Sequence, residues 1–250
     1  MREALKYTAL ILFMTLPVLS FSQRWKLRRA EVIVGFGASN YFGDIGGAAD
    51  ENNWMGLKDL DLFSTRPNIS IGGRYRLTEN MNLRGNIAFA YLEGTDLKSK
   101  NEQRQYAFSS SVFEFTGLFE YSLIPENSPV NFTLRGLWDG LRSNNANLNT
   151  YVFGGLGATY FDVKALDELA NSQRFNDNKN LTLVIPAGVG IKYPVAPMTH
   201  IGFEVGGRWA ATDFLDGLTT KWSNAYDIYY FSVLNVVFKI ETHYRRRLRR

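Results

Sequence analysis

The chain has 250 residues, no cysteine, 14% aromatic residues and a formal charge of +4. The surplus cations do not describe a basic face, because Arg245, Arg246, Arg247, Arg249 and Arg250 all fall within the last six residues. The body is near neutral, which argues against a nucleic-acid partner, and the lack of cysteine excludes a disulfide framework.

Residues 1–22 read as a secretory signal. Arg2 and Lys6 supply the positive start, and Tyr7–Leu19 is an apolar run too short to span a bilayer as a helix. Ser20 and Ser22 are the small residues a signal peptidase requires, so the mature chain is expected to begin at Gln23. Residues 23–243 then form one domain, a length that suits a single core, and 244–250 form a basic tail.

Eight segments alternate apolar and polar residues in steps of two, which is strand geometry. In chain order they are Glu31–Tyr41, Asn68–Leu77, Met81–Leu92, Ser110–Leu123, Tyr151–Phe161, Leu181–Tyr193, His200–Trp209 and Ile228–Thr242. In the second, Ile69, Ile71, Tyr75 and Leu77 share one face, while Asn68, Ser70, Arg74 and Arg76 share the other. The fourth sets Phe113, Phe115, Phe119 and Tyr121 against Glu114, Thr116 and Glu120. The fifth, rich in glycine and apolar on both faces, has no orientation of its own.

The connections alternate in length. Gly43–Arg66, Glu93–Ser109, Asp162–Asn180 and Ala210–Asp227 are long and polar, whereas Thr78–Asn80 and Pro194–Thr199 are tight. Outer-membrane barrels have short periplasmic turns and long outer loops. The alternation therefore predicts an all-β fold, an eight-stranded antiparallel up-and-down outer-membrane β-barrel with both termini in the periplasm. Ile124–Thr150, long where a short turn belongs, becomes a periplasmic insertion.

Period two alone also fits a soluble barrel, whose apolar face points inward. Aromatic placement separates the two. Tyr75, Tyr121 and Tyr193 fall at one end of the apolar face and Tyr91, Trp209 and Tyr230 at the other, with aliphatic residues between. Two rings of amphipathic aromatics match two water–lipid boundaries, so outer-membrane lipid is the expected surrounding. The opposite face then lines a lumen only wide enough for side chains. Arg74, Arg76, Arg84, Glu114, Glu120, Lys192, Glu204, Arg208 and Lys239 are expected there as a network of ion pairs, since a buried unpaired charge is costly.

Four stretches, EVIVGFGASNYFGDI from Glu31, YVFGGLGATYF from Tyr151, IPAGVGIKY from Ile185 and GFEVGGRWAATDFLDGL from Gly202, resemble one family. The sequence is similar to the PorG-like outer-membrane barrels of the Bacteroidota, which are linked to the type IX secretion system. Its most specific parts are Tyr41, Gly43 and Asp44 in the first stretch and Asp213 and Asp216 in the last. Gly217 and Thr150 depart from the pattern, where a second acid and a proline are usual. The resemblance implies a non-catalytic barrel that anchors a periplasmic ring, built with a lipoprotein, to the outer membrane. Candidate contacts with ring subunits are the insertion with Trp138, the two short turns, and the tail arginines Arg245, Arg246, Arg247, Arg249 and Arg250. The alternative is a small pore or ligand-binding barrel of the OmpA or OmpW type.

Asp44, Asp213 and Asp216 could converge on Ca²⁺, which needs six to eight oxygens, but aspartates in loop turns ordinarily cap backbone amides. No metal, cofactor or small-molecule substrate is expected. Hydrolase chemistry at an outer rim needs a histidine or an equivalent base there. The histidines, His200 and His243, sit toward the other end, so no enzymatic activity is expected.

Overall fold

The computed structural model describes residues 28–43, 45, 64–96, 102–126, 148–172, 175, 180–212, 214–218 and 227–241. Eight strands follow in order: β1 (Ala30–Phe42), β2 (Arg66–Arg76), β3 (Met81–Thr95), β4 (Tyr106–Ile124), β5 (Asn149–Asp167), β6 (Leu181–Ala196), β7 (Thr199–Ala210) and β8 (Ile228–Ile240). Each pairs antiparallel with its chain neighbours, and β8 pairs with β1 to close the sheet. The fold is the eight-stranded antiparallel up-and-down outer-membrane barrel that the sequence predicts.

One row of ladder partners runs from Ala30 through Tyr75, Leu83, Phe119, Gly154, Ala187, Gly207 and Tyr230. It returns to Asn40, ten residues further along β1. With strands about 4.8 Å apart and a rise of about 3.3 Å per residue, this stagger tilts the strands by about 40°. One end of the barrel, here the terminal end, holds the start of β1, the end of β8 and the turns after β2 and β6. The β2–β3 turn is held by Leu77 and Thr78 N–H donating to Met81 O at 2.9 and 3.2 Å, and by Met81 N–H donating to the Thr78 hydroxyl at 3.1 Å. The opposite end is the loop end.

The alternation sorts side chains as expected. Phe36 is 66% exposed and Leu156 70%, whereas Arg74 is 4% and Glu120 0% exposed. Charges are buried and large apolar groups face out, which is stable only where the surroundings are hydrocarbon. Along the outward face of the strands no charge occurs until Glu93, Asp162 and Lys164, all near the loop end. The structure also orients β5, turning Tyr151, Phe153, Thr159 and Phe161 inward and Val152, Leu156 and Tyr160 outward.

Strands β3, β4 and β5 run further than the sequence pattern indicates. Glu93, Gly94 and Thr95 pair with Ser109, Phe108 and Ala107, and Ser111 through Tyr106 pair with Asp162 through Asp167. Residues assigned to the polar connections Glu93–Ser109 and Asp162–Asn180 are therefore partly strand. The reason is a change of solvent. Past the aromatic ring the outside is polar, with Ser109, Ser111, Asp162 and Lys164, and the inside is apolar, with Leu92 and Phe108 at 0% exposure. The period stays at two while its polarity reverses. The insertion is likewise shorter than Ile124–Thr150, because Ile124 ends β4 and Asn149 starts β5, Asn149 Nδ2 donating to Ile124 O at 2.8 Å.

Ile87 lies mid-way along the outward face of β3. Ile87→Arg is expected to destabilise the barrel by about 2–4 kcal/mol, whereas Asp162→Arg, beyond the aromatic ring, costs less than about 1 kcal/mol. Urea unfolding from lipid bilayers measures both.

Candidate functional site

Among the described residues, the lumen gathers the largest group of buried charged side chains. Its centre is a chain of buried ion pairs. Arg74 of β2 reaches Glu31 Oε2 on β1 at 2.9 Å and Glu120 Oε2 on β4 at 2.6 Å. Arg84 of β3 crosses the barrel to Glu204 of β7 in a two-pronged pair at 2.5 and 3.0 Å, with Glu120 Oε1 3.2 Å from its Nε. The Tyr151 hydroxyl donates to Glu204 Oε1 at 2.5 Å. Lys192 Nζ lies 3.2 Å from both oxygens of Glu31.

Two rings from β5 fill the space beside these guanidinium groups. Arg74 stands 5.2 Å from the centre of the Tyr151 ring and Arg84 5.3 Å from that of Phe153, positions that favour a cation over an aromatic face. The rings fit because their ladder partners on the neighbouring strand β6 are glycines. A Cβ on Gly190 would stand 2.5 Å from Tyr151, and one on Gly188 2.6 Å from Phe153.

A second group closes the terminal end. Glu126, two residues past β4, turns back into the mouth. Its Oε2 is 2.9 Å from Arg76 Nη2 and 3.4 Å from Lys192 Nζ. Its Oε1 accepts from His200 Nε2 at 3.0 Å and pairs with the Lys239 ammonium. Burial opposes ionisation of this carboxyl, but the His200 hydrogen bond and the Lys192 and Lys239 charges outweigh it. They hold Glu126 well below the usual carboxylate range.

A third group lies toward the loop end. The Tyr229 hydroxyl donates to Glu114 Oε2 at 2.6 Å and lies 3.1 Å from the Thr159 hydroxyl. Arg208 places its Nε 3.6 Å from Glu114 Oε2 and its guanidinium 4.0 Å from the centre of the Phe231 ring. Above it the polar lumen stops. Leu92, Phe108, Val112, Phe161 and Phe231 from the strands pack with Ile45, Leu169, Leu215 and Leu218 from the connections into one apolar cap. The Tyr41 hydroxyl donates to Asp227 Oδ1 at 2.6 Å, and Asp227 Oδ2 accepts from Leu215 N–H at 2.9 Å, pinning the cap to β1. Gly217 has φ +72°, a conformation that favours glycine, and its open face lies under the Phe175 ring.

All nine residues assigned to the luminal network (Arg74, Arg76, Arg84, Glu114, Glu120, Lys192, Glu204, Arg208 and Lys239) line the inside and carry ion pairs with one another or with Glu31 and Glu126. Among the described residues the lumen holds those six cations against five carboxylates, Glu31, Glu114, Glu120, Glu126 and Glu204. Of the family-motif residues, Tyr41 faces inward, Gly43 follows β1, and Asp216 Oδ1 accepts from Leu218 N–H at 2.9 Å, the turn-capping role. Asp44, Asp213, Trp138 and the tail arginines lie outside the described residues, as do the signal segment and most of the insertion. Among the described residues no three carboxylate or imidazole groups gather as a metal site would require.

Glu31, Glu126, Tyr151 and Tyr229 were not among the expected network residues. Glu31 and Tyr229 follow the inward parity of their strands, and that parity is the signal available; Tyr151 lies on β5, whose two faces the sequence does not define. Glu126 lies past a strand end, where periodicity has no hold.

Removing one partner of a buried pair leaves the other charge stranded. Arg84→Met and Glu204→Met are each expected to cost about 3–5 kcal/mol in urea unfolding, and the double variant less than their sum. Glu126, ionised more readily in the folded barrel, contributes fully above the ordinary glutamate value of about 4.3. That contribution is lost as pH falls below it. Glu126→Gln is therefore expected to lower stability at pH 7 and to flatten the loss of stability below pH of about 4, as acid titration of the unfolding midpoint would read.

The barrel resembles several solved outer-membrane proteins in fold. Neisserial surface protein A is 10% identical, with TM-score 0.47, over 84% of this chain and 97% of that one. Ail of Yersinia pestis is 10% identical, with TM-score 0.41, over 84% and 99%. OprG of Pseudomonas aeruginosa is 10% identical, with TM-score 0.42, over 86% and 98%. No curated protein matches the chain by sequence. A family model described as a domain of unknown function, DUF6089, matches residues 9–237, and the chain belongs to that family.

Proposed function

We propose that this barrel is a non-catalytic structural component of the outer membrane, anchoring the periplasmic ring of a type IX protein secretion apparatus. The observation that carries the non-conducting, structural part is the filled lumen. Ion pairs occupy its length from Glu126 to Arg208, and the apolar cap of Phe108, Phe161, Leu215 and Leu218 closes the loop end. A barrel whose inside is spent on its own stability acts through its surface and its ends. The secretion assignment rests on the family-like motifs around Tyr41 and Asp216. In this reading the terminal end faces the periplasm, and the insertion with Trp138 and the arginine tail meet a ring lipoprotein.

Affinity purification of the tagged barrel from detergent-solubilised outer membranes, followed by mass spectrometry, is expected to recover a periplasmic lipoprotein and its ring partner. Deleting residues 244–250 is expected to reduce that recovery while the barrel still inserts. Recovery of an intact barrel without either protein overturns the anchor. In planar bilayers the purified barrel is expected to show no stepwise conductance, and regular single-channel steps would favour a pore.

A further inference from the structure

We propose that the terminal mouth of the barrel is a carboxylate-binding site, occupied in this state by the chain's own Glu126. Four cationic or proton-donating groups from four strands converge on one carboxylate: Arg76 of β2, Lys192 of β6, His200 of β7 and Lys239 of β8. Each carboxylate oxygen faces two of them, which is the arrangement of a binding pocket more than of a single ion pair. The pocket depends on this one acid. Among the described residues, neither His200 nor Lys239 has another carboxylate within 4.0 Å. The other acid beside the pocket, Glu31, is already shared among Arg74, Lys192 and Arg76, whose Nη2 lies 3.6 Å from Glu31 Oε1.

What holds Glu126 there is its side chain. The last ladder pair of β4 is Ile124 with Thr150, so Pro125 and Glu126 lie beyond the sheet. The wall of the pocket, by contrast, is built from residues within strands, with Arg76 opposite Asn82 and Lys192 opposite Gly202 and Asn149. A rigid cationic wall thus meets a ligand borne on the first residues outside the ladder. Withdrawing Glu126 leaves Arg76 and Lys192 on the shared Glu31 and leaves Lys239 with no acid among the described residues within 4.0 Å, so the vacancy would be filled by another carboxylate. An aspartate or glutamate side chain of a polypeptide partner has that chemistry. This inference does not depend on the secretion reading, since it concerns the pocket's chemistry and not the partner's identity.

Chemical rescue tests it. In the full-length barrel folded in lipid vesicles, Glu126→Ala is expected to lower the urea midpoint. Potassium acetate in the millimolar range is expected to restore much of that loss saturably, while potassium chloride at equal ionic strength does not. Wild type is expected to show no such difference, and Glu126→Ala combined with Lys239→Met to lose the rescue. If the alanine variant folds poorly, the heat-modifiable fraction after refolding with acetate against chloride gives the same reading. Equal effects of acetate and chloride, or rescue that survives loss of Lys239, would overturn the proposal.

Discussion

Backbone amides and carbonyls cannot be left unpaired in hydrocarbon, and the pairing of β1 with β8 is what meets that demand. An open eight-stranded sheet would carry two unpaired edges into the membrane, each orphaned group costing several kcal/mol. Closure removes both edges, with Ala30–Phe42 matched residue by residue to Ile228–Ile240. The ten-residue stagger around the ring follows from closing eight twisted strands. It also fixes the lumen at a width that side chains alone fill.

That narrowness explains the electrostatics. Arginine and glutamate carry long side chains that must meet near the axis, so Arg84 on β3 finds Glu204 on β7 from across the barrel. The rings of Tyr151 and Phe153 fill the space beside the guanidinium groups of Arg74 and Arg84. The same barrel changes character along its length. Within the hydrocarbon its outside is apolar and its inside charged; past the aromatic ring the arrangement inverts. Phe108 inside and Ser109 outside, adjacent in sequence, mark the place where the surroundings become water.

The strand count, the order of elements and the inward charges were legible because period two is robust where one face meets lipid. The ends of β4 and β5 were not. A reader who takes apolar to mean outward sees Glu93–Ser109 as a loop, since serine and glutamate there occupy the outward positions. Strand β5 was opaque for a different reason: Gly154, Gly155 and Gly157 leave too few side chains to define two faces. The cap residues Ile45, Leu215 and Leu218 are isolated apolar positions in polar connections, with no local pattern to mark them. Glu126 acts through a contact with residues 50 to 113 positions away, a distance over which sequence periodicity carries no information.

The separations in the ion-pair chain bear on how the barrel is made. Arg84 and Glu204 are 120 residues apart and Glu31 and Lys192 are 161 apart, so these pairs cannot form until β7 and β6, late in the chain, have arrived. Contacts of such range make folding slow, and a half-assembled sheet would carry bare guanidinium and carboxylate groups into oil. Neutralisation of the lumen is therefore tied to assembly of the ring, because each guanidinium or ammonium meets its carboxylate only once the far strand is in place.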